Sequence, residues 1–197
     1  FSAYESYEFH VVYQKLSRFV AVELSAIYHE VIKDRLYTDP AHSPRRRSTQ
    51  TTLHRLITRL SEMLSPILAF TADEAWEFIP GREDIASVHL ASWAPGTLSR
   101  SEAEQMAWRH LFEIRDLVLP ELEKERQAKN IGKALDARVV ITGANPMLAD
   151  GKTHLEALRE LLNVSQLEGH HQPNGMAVSI VVSKALGQKS ERCLPWG

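Results

Sequence analysis

Seven cations fall between residues 33 and 59: Lys33, Arg35, Arg45, Arg46, Arg47, Arg55 and Arg59. Only Asp34 and Asp39 oppose them, so the segment carries +5 in a chain whose formal total is −2. Cations gathered in this way suit phosphate groups, whose counterions they release on contact. Arg45, Arg46 and Arg47 also sit at the expected start of a helix, where the dipole is already positive. Three cations there are unfavourable unless an anion comes to them. A second run, Arg126, Lys129, Lys133 and Arg138 with Asp136 opposing, nets +3. The competing reading of both runs is a solvated face whose arginines pair with nearby glutamates.

Other chemistry has little support. The chain has no Gly-rich phosphate loop, no nucleophile elbow and no His-Glu-x-x-His helix. Its one cysteine, Cys193, can form neither an internal disulfide nor a structural zinc site. Nothing around Cys193 suggests an oriented base for a nucleophile. His170-His171 is the only adjacent pair among nine histidines, and it is expected in a solvated Gly/Pro/Asn loop. No catalytic and no metal-ligating residue is expected. Trp76 and Trp108 lie in apolar helical patterns and are expected in the core. Trp93 falls in an irregular segment that could cover the end of a bundle, and nothing constrains Trp196.

The elements that position these residues follow from hydrophobic periodicity. With 197 residues, 44% hydrophobic and 24% charged, the chain suits one folded domain with a small appendage. Its apolar stretches are far shorter than the roughly 18 residues of a membrane span. It opens on Phe1 with no methionine or signal peptide, so a fragment of a longer cytoplasmic chain is expected. Ser2-Ala3-Tyr4-Glu5 has capping-box spacing. Behind it, Tyr7, Val11, Val12, Leu16, Phe19, Val20, Leu24, Ile27 and Val31 predict one long helix to about Tyr37. A second helix starts near Arg46–Thr49, with Leu53, Leu56, Ile57, Leu60, Met63 and Leu64 on its buried side, and stops at Ser65-Pro66. Thr71-Ala72-Asp73-Glu74 predicts a capping box for a short helix closed by Pro80-Gly81.

Residues 82–100 read as irregular, with Val88-His89-Leu90 extended. A third long helix is predicted from Ser101 to about Lys129, with Met106, Leu111, Phe112, Ile114, Leu117, Val118 and Leu122 inside. Pro120 within it should cost about 3 kcal/mol unless it marks a kink. The period then changes: strand over Ala137–Thr142, helix over 151–162, strands over Val164–Glu168 and Met176–Ser183, with a turn at Asn174-Gly175. The expected fold is mainly α, an antiparallel helical bundle over 1–130. A small β-α-β-β subdomain over 131–187 and a tail over 188–197 follow.

Together these segments resemble isoleucyl-tRNA synthetases. The resemblance lies in Tyr28-His29-Glu30-Val31-Ile32-Lys33-Asp34-Arg35-Leu36-Tyr37, then Arg46-Arg47-Ser48-Thr49-Gln50-Thr51. It continues in Ser65-Pro66-Ile67-Leu68-Ala69-Phe70-Thr71-Ala72-Asp73-Glu74-Ala75-Trp76 and in Ser87-Val88-His89-Leu90 followed by Trp93. Ile131-Gly132-Lys133-Ala134-Leu135-Asp136-Ala137-Arg138-Val139 and Val164-Ser165-Gln166-Leu167 complete it, in order along the whole chain. The Pro-Ile-Leu…Glu-x-Trp element is shared with valyl and leucyl relatives. The Lys-Asp-Arg-Leu-Tyr and Ile-Gly-Lys-x-Leu-Asp-Ala elements favour the isoleucyl family.

The resemblance implies an anticodon-binding bundle and a junction subdomain that follow the catalytic and editing domains of a class I synthetase. The parent would charge isoleucine-accepting tRNA using ATP. The "HIGH" and "KMSKS" signatures are absent, so no catalysis and no cofactor are expected in these residues. A zinc tail in many members opens Lys-Cys-x-Arg-Cys-Trp; here Lys189-Ser190-Glu191-Arg192-Cys193 stands in its place, and no zinc is expected. The implied partner is tRNA, with no membrane contact and a monomeric state.

Phosphate positioning is assigned to Lys33, Arg35, Arg45, Arg46 and Arg47 by charge. Lys129, Lys133 and Arg138 are added because the resemblance places the junction subdomain near the RNA. Tyr37 and His42 are candidate stackers and Gln50 a candidate base reader. Three rivals stay open. One is a helical protein-interaction module, one an enzyme using Cys193 or the His170-His171 loop, and one the same domain from a valyl or methionyl relative.

Overall fold

The computed structural model describes residues 1–92, 99–145, 148, 151–173 and 178–187. Contacts divide the chain into two compact units. The first comprises Phe1–Ala26 and Arg35–Leu98, the second Ile27–Asp34 and Ser99–Gly197.

The first unit is helical. Helix α1 (Ser2–Glu5) is a single turn, and α2 (Phe9–Arg18) follows after a break at Tyr7, whose φ is +56°. Phe19–Tyr28 then winds as a π-helix and α3 spans His29–Tyr37, though Ile27–Asp34 within this stretch belong to the second unit. One uninterrupted α-helix from Ser2 is therefore corrected. Ser2 is not an N-cap either: Phe1 occupies that position, without a side-chain cap bond. The π segment uses i→i+5 bonds, which changes the angular step and with it the buried stripe. Val12, Leu16, Leu24 and Ile32 are buried, whereas Tyr7 and Val20 are exposed.

Helix α4 (Pro44–Leu64) begins cleanly. The Ser43 hydroxyl accepts from the Arg46 N–H, and Pro44 takes a first-turn position where its missing N–H costs nothing. Its buried residues are Thr49, Thr58, Ser61 and Glu62. Leu53, Leu56, Leu60, Met63 and Leu64 are only half-buried and Ile57 is exposed, which corrects the expected inner face. The buried hydroxyls are tolerated because they are bonded. Thr49 donates to the Arg45 carbonyl and Thr58 to that of His54, while Arg59 pairs with Glu62 at 2.7 Å.

Helix α5 (Ala69–Glu77) starts two residues before Thr71, so the Thr71 capping box does not form. Its Trp76 is 2% exposed in a cluster with Ala72, Ile79 and Val88. The indole N–H donates to the Ile85 carbonyl at 2.9 Å, and the Arg82 guanidinium lies 5.4 Å from its ring centre. Val88–Leu90 is a 3₁₀ turn rather than an extended piece. Asp73 fixes it, accepting from the Ser87 hydroxyl and the Val88 N–H. These bonds, the Ser87 one first, hold the Asp73 carboxyl below its ordinary range.

The second unit is built on a sheet. Helix α6 (Glu102–Gln127) is capped by Ser101, whose hydroxyl accepts from the Glu104 N–H. Leu111, Ile114, Val118 and Leu122 form its buried stripe. Met106, Trp108, Phe112 and Leu117 are exposed, a correction to the wider face expected. The real seam recurs at three and four residues, and Met106 and Leu117 fall on the opposite side of the helix. Pro120 is accommodated within α6 on an exposed position, where water can take the carbonyl its ring leaves unbonded.

Strand β1 (Ala137–Gly143) is central, in the order β2-β1-β3. It runs parallel to β2 (Gln166–His171) and antiparallel to β3 (Ser179–Lys184), pairing Val139 with Leu167 and with Val182. Helix α7 (Gly151–Leu162) connects β1 to β2, giving the expected β-α-β-β order. Ala137, Val139 and Ile141 alternate inward and pack with Val118, Leu158, Leu162 and Val164. Ile27 and Val31 pack on this same core. A Cβ on Gly169 would stand 2.8 Å from the Leu155 side chain and 3.0 Å from the Leu148 carbonyl, so only glycine fits. His170 and His171 end β2, not a loop as expected. Asn174-Gly175, Trp93 and residues 188–197, with Cys193 and Trp196, lie outside the described residues.

The change from helical to strand periodicity near residue 130 and the division by packing are separate boundaries. Helix α6 is helical by pattern, yet its stripe is buried with the sheet.

Candidate nucleic-acid interface

In the first unit, the candidates gather around the turn between α3 and α4. Asp39 organises it. The Arg45 guanidinium grips its carboxylate with two hydrogen bonds, Nε at 2.9 Å and Nη2 at 2.8 Å. The Ser43 hydroxyl donates to the same carboxylate at 3.2 Å, and Arg46 Nη1 donates to the Asp39 backbone carbonyl at 2.9 Å. The bonds from Arg45 hold the Asp39 carboxyl below its ordinary range. The charges of Arg45 and Arg35 and the Ser43 bond reinforce them against partial burial.

The three consecutive arginines thus differ in what they can do. Arg45 is committed to Asp39. Arg46 is half-buried and divided: Nη1 is bonded, while Nε is buried with no partner among the described residues. Arg47 is exposed, and its guanidinium makes no hydrogen bond or ion pair with a described residue. Beside them Tyr37 is 79% exposed, and His42 and Gln50 are exposed. Gln50 lies three residues after Arg47, close to it on the helix surface. An exposed cation and an amide are therefore presented in the first turns of α4, with an exposed ring at the end of α3. In the sequence Asp39 is only an opposing charge. Its part in fixing the turn was signalled by Ser43-Pro44 four residues later, a cap-and-proline helix start.

In the second unit, Lys33 pairs with Glu30 at 2.5 Å. Arg138 is held by Glu168 across the parallel β1–β2 pair, with two bonds at 2.9 and 2.8 Å. Arg126 is held the same way by Glu123. Lys129 and Lys133 are exposed, and their ammonium groups pair with no described residue. Lys129 adopts φ +60° just beyond the end of α6, and the Lys133 N–H donates to Asp136. Of this basic run, two side chains are taken up by glutamates and two point into water.

Among the described residues, no three of His, Cys, Asp and Glu stand close enough to hold a metal ion. His171 Nδ1 lies 3.2 Å from the Asn145 carbonyl. No described helix is long and apolar enough to cross a membrane.

A largely helical scaffold with a small mixed sheet, carrying uncompensated cations beside exposed aromatic and amide groups, defines a domain that can grip a polyanion. The family model "Anticodon-binding domain of tRNA ligase" matches residues 1–141. The chain belongs to this family. It is 40% identical to isoleucine–tRNA ligase of Moorella thermoacetica and 39% identical to that of Syntrophotalea carbinolica, over 97% of this chain in each case. The isoleucine–tRNA ligase of Methylacidiphilum infernorum is 40% identical over 96% of it. The chain spans only 20–22% of the length of these relatives.

Proposed function

We propose that this chain binds the anticodon arm of an isoleucine-accepting tRNA as part of an isoleucine–tRNA ligase. The observation that carries the reading is the α4 start, where Arg47 pairs with no described residue and Tyr37, His42 and Gln50 are exposed within ten residues of it along the chain. Family membership and the names of the similar ligases support the choice of ligand. Arg46 and Arg47 would hold phosphates, with Arg35 behind them adding positive potential. Tyr37 and His42 would stack on unpaired loop bases, and Gln50 would pair with a base edge. Within the second basic run, Lys129 and Lys133 are the cations that pair with no described residue. Lys33 and Arg138 could contribute only by exchanging a carboxylate for a phosphate. ATP and isoleucine would be handled elsewhere in the enzyme, since the "HIGH" and "KMSKS" signatures are missing from these 197 residues.

The test is binding of the chain to stem-loop RNAs carrying isoleucine, valine and methionine anticodons across a salt series. The expected outcome is preference for the isoleucine loop, with log affinity falling linearly against log salt at about −0.7 per single-strand phosphate contacted. Salt-sensitive binding without preference would keep the basic surface and remove Tyr37, His42 and Gln50 as readers. Absence of binding to all three loops at low salt would overturn the proposal.

A second reading has an observation of its own. Phe70 is 92% exposed, and Phe78 and Leu90 are exposed as well, all within the first unit. Apolar side chains in that state suit contact with protein, and other regions of the same enzyme are the natural partner. They belong to α5 and the segment after it, so this contact is compatible with RNA on α4.

A further inference from the structure

Helix α4 carries five arginines against a single acid, Glu62. That acid is engaged with Arg59, leaving nothing on α4 to compensate Arg47 or Arg55. Arg47 and Arg55 are eight residues apart, about 12 Å along the axis and some 80° apart around it, so they share one side of the helix. Thr51 lies between them at about 40° from Arg47, and Ser48 and Thr52 lie beyond Arg55 at about 100° and 140°; all three are exposed. Short side chains thus lie between and beside the long cations, where a ligand's backbone can come close to the helix.

Both threonine hydroxyls already have an acceptor within the helix. Thr51 donates its proton to the Arg47 carbonyl at 2.9 Å, and Thr52 donates to the Ser48 carbonyl at 3.0 Å. A hydroxyl has one proton to give, so with these bonds made both threonines offer only lone pairs outward. A phosphate oxygen is also only an acceptor and gains nothing from them. A ribose 2′-hydroxyl is a donor, and it is the group that distinguishes RNA from DNA.

We infer that the α4 face of Arg47, Thr51, Thr52 and Arg55 seats an RNA strand by its sugar–phosphate edge. The arginines take phosphates, and the threonines accept hydrogen bonds from 2′-hydroxyls. The inference rests on the RNA-binding reading above and extends it two turns along α4, adding Arg55 as a positioning residue and the threonines as readers of the sugar. The spacing of the cations along the helix matches a strand lying beside it, and the acceptor-only strip selects ribose over deoxyribose.

The experiment compares an unmodified stem-loop RNA carrying the isoleucine anticodon with the same sequence fully 2′-O-methylated. Methylation keeps the A-form while removing the 2′ donors. The parent chain should prefer the unmodified RNA. T51V/T52V keeps the β-branched shape and should lower that preference by roughly three- to tenfold for each hydrogen bond lost. T51S/T52S, which retains the hydroxyls, should restore it. R55Q should weaken both RNAs equally and flatten the salt slope by about 0.7. An unchanged preference in T51V/T52V, with helix content equal to the parent by circular dichroism, would overturn the inference even if R47E still weakened binding. If no variant or parent binds either RNA at low salt, the RNA-binding reading fails and this inference falls with it.

Discussion

At the scale of single residues, the three adjacent arginines are chemically unequal, and the difference can be measured. Arg47 holds nothing else in the described structure, so Arg47→Glu should weaken RNA binding and reduce its salt slope while leaving thermal stability near the parent's. Arg46→Glu should do both kinds of damage, because Arg46 also bonds the Asp39 carbonyl at the helix start. Equal melting temperatures for the two variants would show that the Arg46 bond contributes little. Asp39 supplies a pH signature. Its folded-state carboxyl is depressed, so its contribution is present above the unfolded value of about 3.9 and is lost as pH falls through the folded value. Asp39→Asn should therefore be less stable than the parent near neutrality and converge with it at the acid end. Parallel melting curves at every pH would mean that the Arg45–Asp39 pair is energetically idle. The arginine run was legible from sequence as a charge cluster. Which member stays free was not, because that depends on Asp39 curling back across the turn to reach Arg45.

At the scale of elements, local signals worked where they coincided with the real chain direction. Ser101 caps α6 as its spacing suggests, whereas the Ser2 and Thr71 boxes are unused because their helices start earlier. Ser101→Ala should cost about 1 kcal/mol. Pro120→Ala should act oppositely. It restores a missing N–H on an exposed helix position and should stabilise by up to about 3 kcal/mol, read as a raised unfolding midpoint in denaturant. A lowered midpoint would indicate that the proline ring packs usefully. The π segment over Phe19–Tyr28 illustrates a limit of periodicity. A 3.6-residue stripe runs straight through it by pattern, but each π turn is wider, so the face rotates and Val20 is exposed. Helix α4 shows the same limit for another reason: its leucines suggest the buried side, yet its best-buried positions are Thr49, Thr58, Ser61 and Glu62. Bonding within the helix lets those polar groups go inside.

At the scale of the whole molecule, two cores have to be defended separately. Val118 is 0% exposed in the core of the second unit, and Val118→Asp should abolish that unit's cooperative melting by burying an unpaired carboxylate. Leu60→Asp should be milder, since Leu60 is only half-buried in the first unit. Comparable melting for Val118→Asp and the parent would mean that the second core is misplaced. The sequence by itself determined the mainly helical class, the β-α-β-β order, the excess of cations over residues 33–59 and the family resemblance. Each of these depends on neighbours a few residues apart, or on residue identity alone. Only the tertiary structure decided which glutamates silence Arg126 and Arg138, why Gly169 must lack a side chain, and that α6 shares its core with the sheet. It also left Arg47 and Arg55 uncompensated on one face of α4. Those outcomes are set by groups distant in sequence or by the turn of a helix, and they follow from which partners packing brings within hydrogen-bond reach.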